Sequence, residues 1–492
     1  MLSKSYLNKY SKFYIMPSKI LMIYVIPPFN EYQMGYSHGI GFISAVLKQE
    51  GHKPSLLLVD RVSKGIFDDI KNLNPDVIML SCASDQAHIT NELSKQIRKE
   101  FPQKPLILGG VHATVKPEDA IKFEGIDGIV VGEAEEALLE YIDAIEKKKS
   151  YLNIKNFWLK LPNGSVKINE LRPLIQDLDS LPFPDREIYD YKKLLKGYYN
   201  GLEFAAGRGC PYQCSYCINH ILMKKYKGKG KFVRMRSPQN IINEVKQVMK
   251  KYEGHFDIVT FQDDTFTLEK EWFREFADLY AKEIGYPYRC NTRVDMLDEE
   301  IIKLLKKSNC IETWMGVETG DEEFREKILK KGVATTNEQI IKIFDLCKKY
   351  GIKTTAFNMI GLPGETDKSI EKTIALNRRI KADNKMLTIF QPYPGTDLGE
   401  WSRERGLVTD KKVGGVYKTT IMKQSTISKR KIEYYKSIFH PAVGGSKFLP
   451  LIKIMSKIYL DDDTSLYEFV RTKVAKAVTP YQRNLLKKIV WG

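Results

Sequence analysis

A chain of 492 residues has room for two to four domains, and 43% hydrophobic with 28% charged residues excludes a disordered or collagen-like polymer. No apolar stretch reaches the roughly 18 to 20 residues that a membrane-spanning helix needs. The net charge of +17 is uneven: residues 418–492 hold 15 basic against 5 acidic residues, so the excess belongs to an appendix. A nucleic-acid binder would more often spread a basic stripe over its working domain.

Lysines precede an apolar run over 20–26, but the run is short, ends in Pro27-Pro28 and has no small-residue cleavage site after it. It reads as a first buried strand. Further strands are expected over 55–59, 77–81, 106–108 and 128–131, with helical stretches over 41–50, 89–101 and 133–147. This alternation predicts a parallel sheet with helices on both faces over residues 1–150. Ligands of such sheets bind at the carboxyl ends of the strands. No GxGxxG follows the first strand and no GxxxxGKS or GxxxxGKT occurs, so the module is Rossmann-like without the NAD or ATP fingerprint.

Residues 151–200 read as a linker, with a hairpin turn at Leu161-Pro162-Asn163-Gly164 and an extended proline-bearing stretch over 181–185. From 201 to 400 the alternation resumes, with strands over 202–206, 258–261, 288–292, 313–317, 354–360 and 387–392. Six such strands, each followed by a helix-capable stretch, predict an open (βα)6 barrel with its reactive groups at the strand ends. Residues 401–492 read as a smaller, mainly helical, basic domain. Its stretches 447–460 and 468–489 are basic and amphipathic, suited to an anionic membrane surface or to covering the barrel while showing lysines to water. A second basic run, 224–236, could meet an acidic substrate or be a solvated loop.

Seven cysteines in so long a chain make no disulfide scaffold. Cys210, Cys214 and Cys217 fall within eight residues, directly after the first barrel strand; Cys82, Cys290, Cys310 and Cys347 are scattered. A lone tight cluster points to a metal or redox site in a reducing cytoplasm. Thiolates at i, i+4 and i+7 can each ligate a separate iron of a 4Fe–4S cube, leaving the fourth iron open. Zinc, the alternative, wants a fourth ligand, for which only His220 is close.

The segment CPYQCSYC at 210–217, with aromatic Tyr216 before the third cysteine, resembles the CxxxCxxC signature of radical S-adenosylmethionine (SAM) enzymes. Phe261-Gln262-Asp263-Asp264-Thr265-Phe266 resembles the DDxF strand end of the cobalamin-binding branch. Asn291-Thr292-Arg293-Val294-Asp295, Gly316-Val317-Glu318-Thr319-Gly320, Gly361-Leu362-Pro363-Gly364-Glu365 and Gln391-Pro392-Tyr393-Pro394-Gly395-Thr396 follow in that branch's order. Leu108-Gly109-Gly110-Val111-His112 and Val131-Gly132-Glu133 look like its cobalamin-domain signatures. Over roughly residues 19–400 the chain therefore resembles the cobalamin-dependent radical SAM family.

The resemblance implies an α/β protein with an N-terminal Rossmann-like cobalamin-binding domain, a partial (βα)6 radical SAM barrel and a mainly helical C-terminal domain. It implies a 4Fe–4S cluster on Cys210, Cys214 and Cys217, with SAM and cobalamin as further cofactors. SAM contacts carried over by motif position are Tyr216, Asp263, Asp264, Arg293 on the fourth strand, Glu318, Gly361 and Leu362. The competing roles are helix capping for the aspartates and a barrel-interior ion pair for Arg293. Cobalamin contacts are His38, Ser81, Gly109, Gly110, His112, Gly132 and Glu133. His38 lies in Tyr36-Ser37-His38-Gly39-Ile40-Gly41, where tyrosine replaces the aspartate of a D-x-H-x-x-G motif, so its imidazole lacks the usual orienting carboxylate.

The implied reaction is methylation of an unactivated carbon through a 5′-deoxyadenosyl radical and methylcobalamin. The alternative is a non-methylating cyclisation, rearrangement or oxidation with the same cofactors. A small-molecule or lipid-like substrate and a flavodoxin- or ferredoxin-type electron donor are expected, without nucleic acid. The expected location is the cytoplasm, with peripheral membrane contact through the basic C-terminal region left open.

Overall fold

A computed structural model of the protein describes residues 17–26, 36–197, 200–332, 335–409, 420–423, 426–446, 449–450 and 453. The chain divides into two compact units, Met1–Asn200 with Gly228–Lys231, and Gly201–Lys227 with Phe232–Gly492.

The first unit is built on strands β1 (Lys19–Val25), β2 (Lys53–Val59), β3 (Val77–Ser81), β4 (Leu106–Gly109), β5 (Gly128–Val130), β6 (Phe157–Lys160) and β7 (Val166–Ile168), in the order β2-β1-β3-β4-β5-β6-β7. The first five are parallel. β1 (KILMIYV) and β3 (VIMLS) are near-continuous apolar runs because a parallel sheet is covered on both faces. From β1 the chain passes to β2 on one side and then to β3 on the other. That reversal opens a crevice outside the carboxyl ends of β1 and β3, where such folds take ligands.

The stretch expected as a linker is built into this unit. β6 extends the sheet antiparallel to β5 and β7 antiparallel to β6, and their hairpin closes at the expected turn, with the Leu161 amide donating to the Ser165 carbonyl at 2.8 Å. Short, half-exposed edge strands carry little hydrophobic signal: Val166 and Ile168 are 38% and 61% exposed.

The second unit contains β8 (Gly201–Phe204), a two-stranded ribbon of β9 (Gly207–Arg208) with β10 (Arg234–Met235), then β11 (Ile258–Phe261), β12 (Tyr288–Thr292), β13 (Cys310–Glu318), β14 (Lys353–Ile360) and β15 (Asn384–Ile389). Its main sheet is six-stranded and wholly parallel, in the order β15-β14-β13-β12-β11-β8. This is the open (βα)6 arrangement that the alternation predicts. Between sheet and helices lies an aromatic core in which Phe261 stacks on Phe266 at 4.3 Å and Phe276, Tyr280 and Tyr288 meet them edge-on or tilted. The ring pairs add geometric preference to simple burial.

Of the basic C-terminal region, the helix Lys429–Val443 is described. It turns Ile432, Tyr435, Ile438 and Phe439 onto Ile360, Ile374 and Ile389. The amphipathic stretches 447–460 and 468–489 lie almost entirely outside the described residues. Among the described residues no helix is long and apolar enough to cross a membrane.

The basic run 224–236 is not a uniformly solvated loop. Arg234 and Arg236 are buried, and the Arg236 guanidinium pairs with the fully buried Glu244 carboxylate while its Nε donates to Asn240 at 2.7 Å. Glu244→Ala would leave the guanidinium uncompensated in the core, and breaking a buried pair costs about 3–5 kcal/mol. A fall of that size in unfolding free energy is expected in a denaturant titration.

Candidate functional site

The cysteine loop leaves the sheet at the carboxyl end of β8 and is tied down from several sides. Asp263, just past β11, accepts from the Ala206 amide at 3.0 Å and the Gly207 amide at 2.7 Å with its two carboxylate oxygens. Farther along, the Ser215 amide donates to the Leu329 carbonyl at 3.0 Å and its hydroxyl to the Ile328 carbonyl at 2.6 Å. The Leu398 amide donates to the Ser215 carbonyl at 2.8 Å. Three segments remote in sequence therefore shape one loop.

Within it Cys210 and Cys214 are buried and Cys217 is half-buried, all as free thiols. Burial raises the Cys210 thiol and pushes Cys217 up to about 11, so loading a metal centre here releases protons. Among the described residues no three Cys, His, Asp or Glu side chains gather tightly enough to hold a single metal ion. Three thiols spread along a loop suit a cube, whose irons each take their own cysteine. His220, the fourth ligand that zinc would need, has its Nε2 engaged by Asp397 at 2.7 Å, with Lys224 on the other carboxylate oxygen at 3.1 Å. The donor set fits an iron–sulfur cluster.

The two aspartates of the DDTF segment divide their work. Asp263 is buried and spent on the loop backbone; burial pushes its carboxyl up to about 7, against the lowering effect of its two amide donors. Asp264 is an exposed residue whose carboxyl is nonetheless raised by partial desolvation, against the lowering effect of the Asn219 side chain, and its carboxylate acts electrostatically on Cys210 and Cys217. Of the pair, Asp264 is the accessible acceptor beside the thiols. Arg293 follows the third strand, β12, rather than lying on the fourth. Its guanidinium forks onto Asp295, with Nε and Nη2 at 2.9 and 2.7 Å, which is the ion-pair alternative weighed for it.

At the end of β13 the Glu318 carboxylate accepts from the Tyr216 hydroxyl at 3.1 Å and from Lys331 Nζ at 2.8 Å. Glu318 adopts φ +64, a left-handed conformation unfavourable for a side-chain-bearing residue, at a register shift between β13 and β14. Gly316 makes room for the pair: a Cβ there would lie 2.3 Å from both Glu318 Oε1 and Lys331 Nζ. Tyr216 and Glu318 are thus brought together as expected. Lys331 was not foreseen, because no motif marks a lysine thirteen residues beyond the glutamate.

Gly361 and Leu362 lie where β14 ends. Leu362 is fully buried among Leu329, Met359, Phe390, Leu398 and Met422, with Tyr216 packed against that cluster. It supports the site from behind rather than presenting an open apolar surface. The amides of Gly361 and Leu362 donate to Glu365 Oε2 at 2.6 and 3.2 Å. Glu365 is fully buried, and burial pushes its carboxyl up to about 8.

In the first unit, Ser81, Gly109 and Gly110 come together at the carboxyl ends of β3 and β4. Gly110 has φ +91, and a Cβ there would lie 2.7 Å from Ser81 Oγ, so backbone and packing both require glycine. Gly109 differs: a Cβ would meet only the Leu80 carbonyl, at 4.0 Å. Neither dihedral strain nor protein packing explains that glycine, and the space it leaves open at the strand ends suits a bulky ligand. His112 is buried, stacked on Phe123 and linked through Nδ1 to Ser84 Oγ at 3.1 Å; burial lowers its pKa. Glu133 is committed to structure, accepting from the Ile175 amide at 2.9 Å, while Gly132 donates its amide to Thr114 Oγ1 at 3.0 Å. His38 opens the helix His38–Gln49 and meets the Tyr36 ring edge-on at 5.0 Å, so an aromatic face stands where a carboxylate would have oriented it.

The sequence matches the Radical SAM superfamily over residues 205–376 and the B12 binding domain over residues 32–142. The chain is a radical SAM protein with a B12-binding domain. The radical SAM domain begins where β8 delivers the cysteine loop, and the B12-binding domain contains the open strand ends around Gly109. Across 380 residues the chain is 27% identical to an uncharacterized methyltransferase of Pyrococcus horikoshii, covering 75% of this chain and 79% of that one. It is 28% identical over 376 residues to the anaerobic magnesium-protoporphyrin IX monomethyl ester cyclase of Rubrivivax gelatinosus, covering 73% and 65%. Among solved structures, the radical S-adenosylmethionine methyltransferase TsrM of Kitasatospora setae, with cobalamin and a [4Fe-4S] cluster bound, shares the fold. The TM-score is 0.65 at 17% identity, over 80% of this chain and 76% of that one.

Glu365 gives the radical SAM domain a pH signature. Its carboxyl is held neutral in the fold up to about 8, against an ordinary value of 4.5. The stability it contributes is complete below the ordinary value and is lost as pH rises through the folded value. Glu365→Gln keeps an acceptor for the two amides and removes the titration. The melting temperature of the variant is expected to gain on that of the parent between pH 5 and pH 9; a pH-independent difference would contradict the assignment.

Proposed function

We propose that this protein is a cobalamin-dependent radical SAM methyltransferase that modifies an unactivated carbon of a small-molecule substrate. The observation that carries the reading is the three-thiol loop at the open end of a (βα)6 sheet, in a chain that also bears a B12-binding domain. When bound, the cluster supplies a low-potential electron, SAM a methyl group and an adenosyl fragment, and cobalamin a methyl carrier. The chain's residues bind and orient. Cys210, Cys214 and Cys217 would hold the cluster, three ligands for four irons, which would leave an open position for SAM.

Asp264, beside the thiols, would accept from the N–H of the SAM amino group, a contact assisted by the carboxylate charge. Glu318, steadied by Tyr216 and Lys331, would face the ribose end, with Gly361, its amide given to Glu365, beside the adenine. Ser81, Gly109 and Gly110 shape the corrin entry, with Gly132 and His112 behind them. No chain carboxylate or imidazole is assigned to the chemistry itself. Residues 1–150, completed by the two strands of 151–200, serve as the cobalamin domain, 201–400 as the barrel and 401–492 as its cover. A flavodoxin- or ferredoxin-type protein is the matching reductant.

A second reading, non-methylating cyclisation with the same cofactors, is favoured by the similarity to the Rubrivivax gelatinosus cyclase. Anaerobic purification with cobalamin supplied should give about four irons, the load of one cube, with stoichiometric cobalt per chain. With reductant and SAM, the protein should release 5′-deoxyadenosine, and Cys214→Ala should not. Iron without cobalt would remove the methyl carrier, and a product lacking the mass of an added CH₂ would favour the second reading.

A further inference from the structure

The fork of Arg293, the geometry suited to a substrate carboxylate, is already filled by Asp295. The guanidinium carbon lies 3.5 Å from the centroid of the Tyr212 ring, and Tyr212 is itself tethered through its hydroxyl to Met296. The remaining donor, Nη1, points at the Sγ of Cys214 at 3.6 Å, within hydrogen-bond reach of a sulfur. Both partners are buried, Arg293 at 6% and Cys214 at 6% exposure.

The other charges around the loop fall elsewhere. Asp264 acts on Cys210 and Cys217, and Glu318 acts on Tyr216, where Lys331 balances it. The Arg293 charge is felt at Cys210 as well, but its direct contact goes to Cys214, from a guanidinium clamped on its other edge and on its face. A hydrogen bond to a ligand sulfur draws electron density from an iron–sulfur cluster and favours the form that carries the extra electron. Burial keeps that effect from being screened by water.

We propose that Arg293 tunes the iron–sulfur cluster: its Nη1 contact with Cys214, held in place by Asp295 and Tyr212, raises the midpoint potential of the SAM-free centre. Arg293 then sets how readily the cluster accepts its electron, and the SAM carboxylate has another partner. The inference rests on the assignment of Cys210, Cys214 and Cys217 as cluster ligands. It makes Asp295 the opposing partner, because that carboxylate offsets the guanidinium charge beside the cluster.

The test is a redox titration of the reconstituted full chain without SAM, followed by the electron paramagnetic resonance signal of the reduced cluster. Iron and sulfide are counted for the parent, Arg293→Met, Arg293→Lys and Asp295→Asn. Arg293→Met should shift the midpoint to more negative potential, by enough to lower the reduced-to-oxidised ratio at least tenfold at a fixed applied potential, ~59 mV for one electron. Arg293→Lys should recover part of the shift, and Asp295→Asn should shift the midpoint the opposite way. SAM affinity, measured separately by equilibrium dialysis, should change little.

Unchanged potentials with weakened SAM binding in Arg293→Met would overturn the proposal and return Arg293 to a SAM contact. Potentials that move in the same direction in Arg293→Met and Asp295→Asn would overturn it as well, since a disturbed loop has no reason to respect charge sign. If Arg293→Met fails to hold iron, the sign of the Asp295→Asn shift decides. A parent protein that holds no cluster would contradict the ligand assignment itself, an outcome distinct from a loaded cluster whose potential ignores Arg293.

Discussion

The radical SAM site depends on one carboxylate holding two amides. Where β8 ends, the chain must leave a parallel sheet and turn across its open end, and the Ala206 and Gly207 amides lose their sheet partners. Asp263 takes both, from the neighbouring strand end. Buried amides left without acceptors would cost about 1–3 kcal/mol each, and the clasp also fixes the direction in which the cysteine loop departs. Every later contact, from Ser215 to Leu398, presupposes that departure. The clasp has its own cost, a carboxylate in a dry place, visible in a carboxyl pushed up to about 7.

Around this anchor the barrel's carboxyls are sorted by what they hold. Carboxyls that serve the backbone, Asp263 and Glu365, are fully enclosed and raised in pKa. Carboxylates left for ligands or cations, Asp264 and Glu318, stand at strand ends with some access to water or a basic neighbour. The B12-binding domain solves a different problem, since its ligand is large and needs vacated volume more than charge. Gly109 and Gly110 adjoin each other but have different reasons for being glycine: Gly110 by dihedral and packing, Gly109 by neither.

Much of this was legible before any coordinates. Both parallel sheets announced themselves through apolar runs separated by helix-capable stretches, and all six barrel strands fall close to where that pattern placed them. Local spacing carried the cluster cysteines, since three thiols within eight residues are a local fact. What escaped was either weakly apolar or far apart. β6 is only four residues long and β7, at the sheet edge, only three with exposed valine and isoleucine, so their pattern resembled a linker. The His220–Asp397 pair joins residues 177 positions apart, and Lys331 reaches Glu318 only because the segment between them folds back. Arg293 was expected on the fourth strand and lies just past the third, and its partner two residues on depends on the turn Val294–Met296, which sequence spacing does not reveal.

Glu318 carries a wider consequence. Its left-handed backbone is a conformation that glycine or asparagine would adopt at less cost, so the fold alone would prefer almost any flexible residue there. Selection for stability and selection for the carboxylate therefore pull in opposite directions at one position. On the role proposed for Glu318, a lineage that abandoned SAM chemistry while keeping the barrel would replace this glutamate among the first, and the replacement would make the protein sturdier. Glycine or asparagine at this position in an otherwise intact barrel would mark a descendant that has given up the reaction.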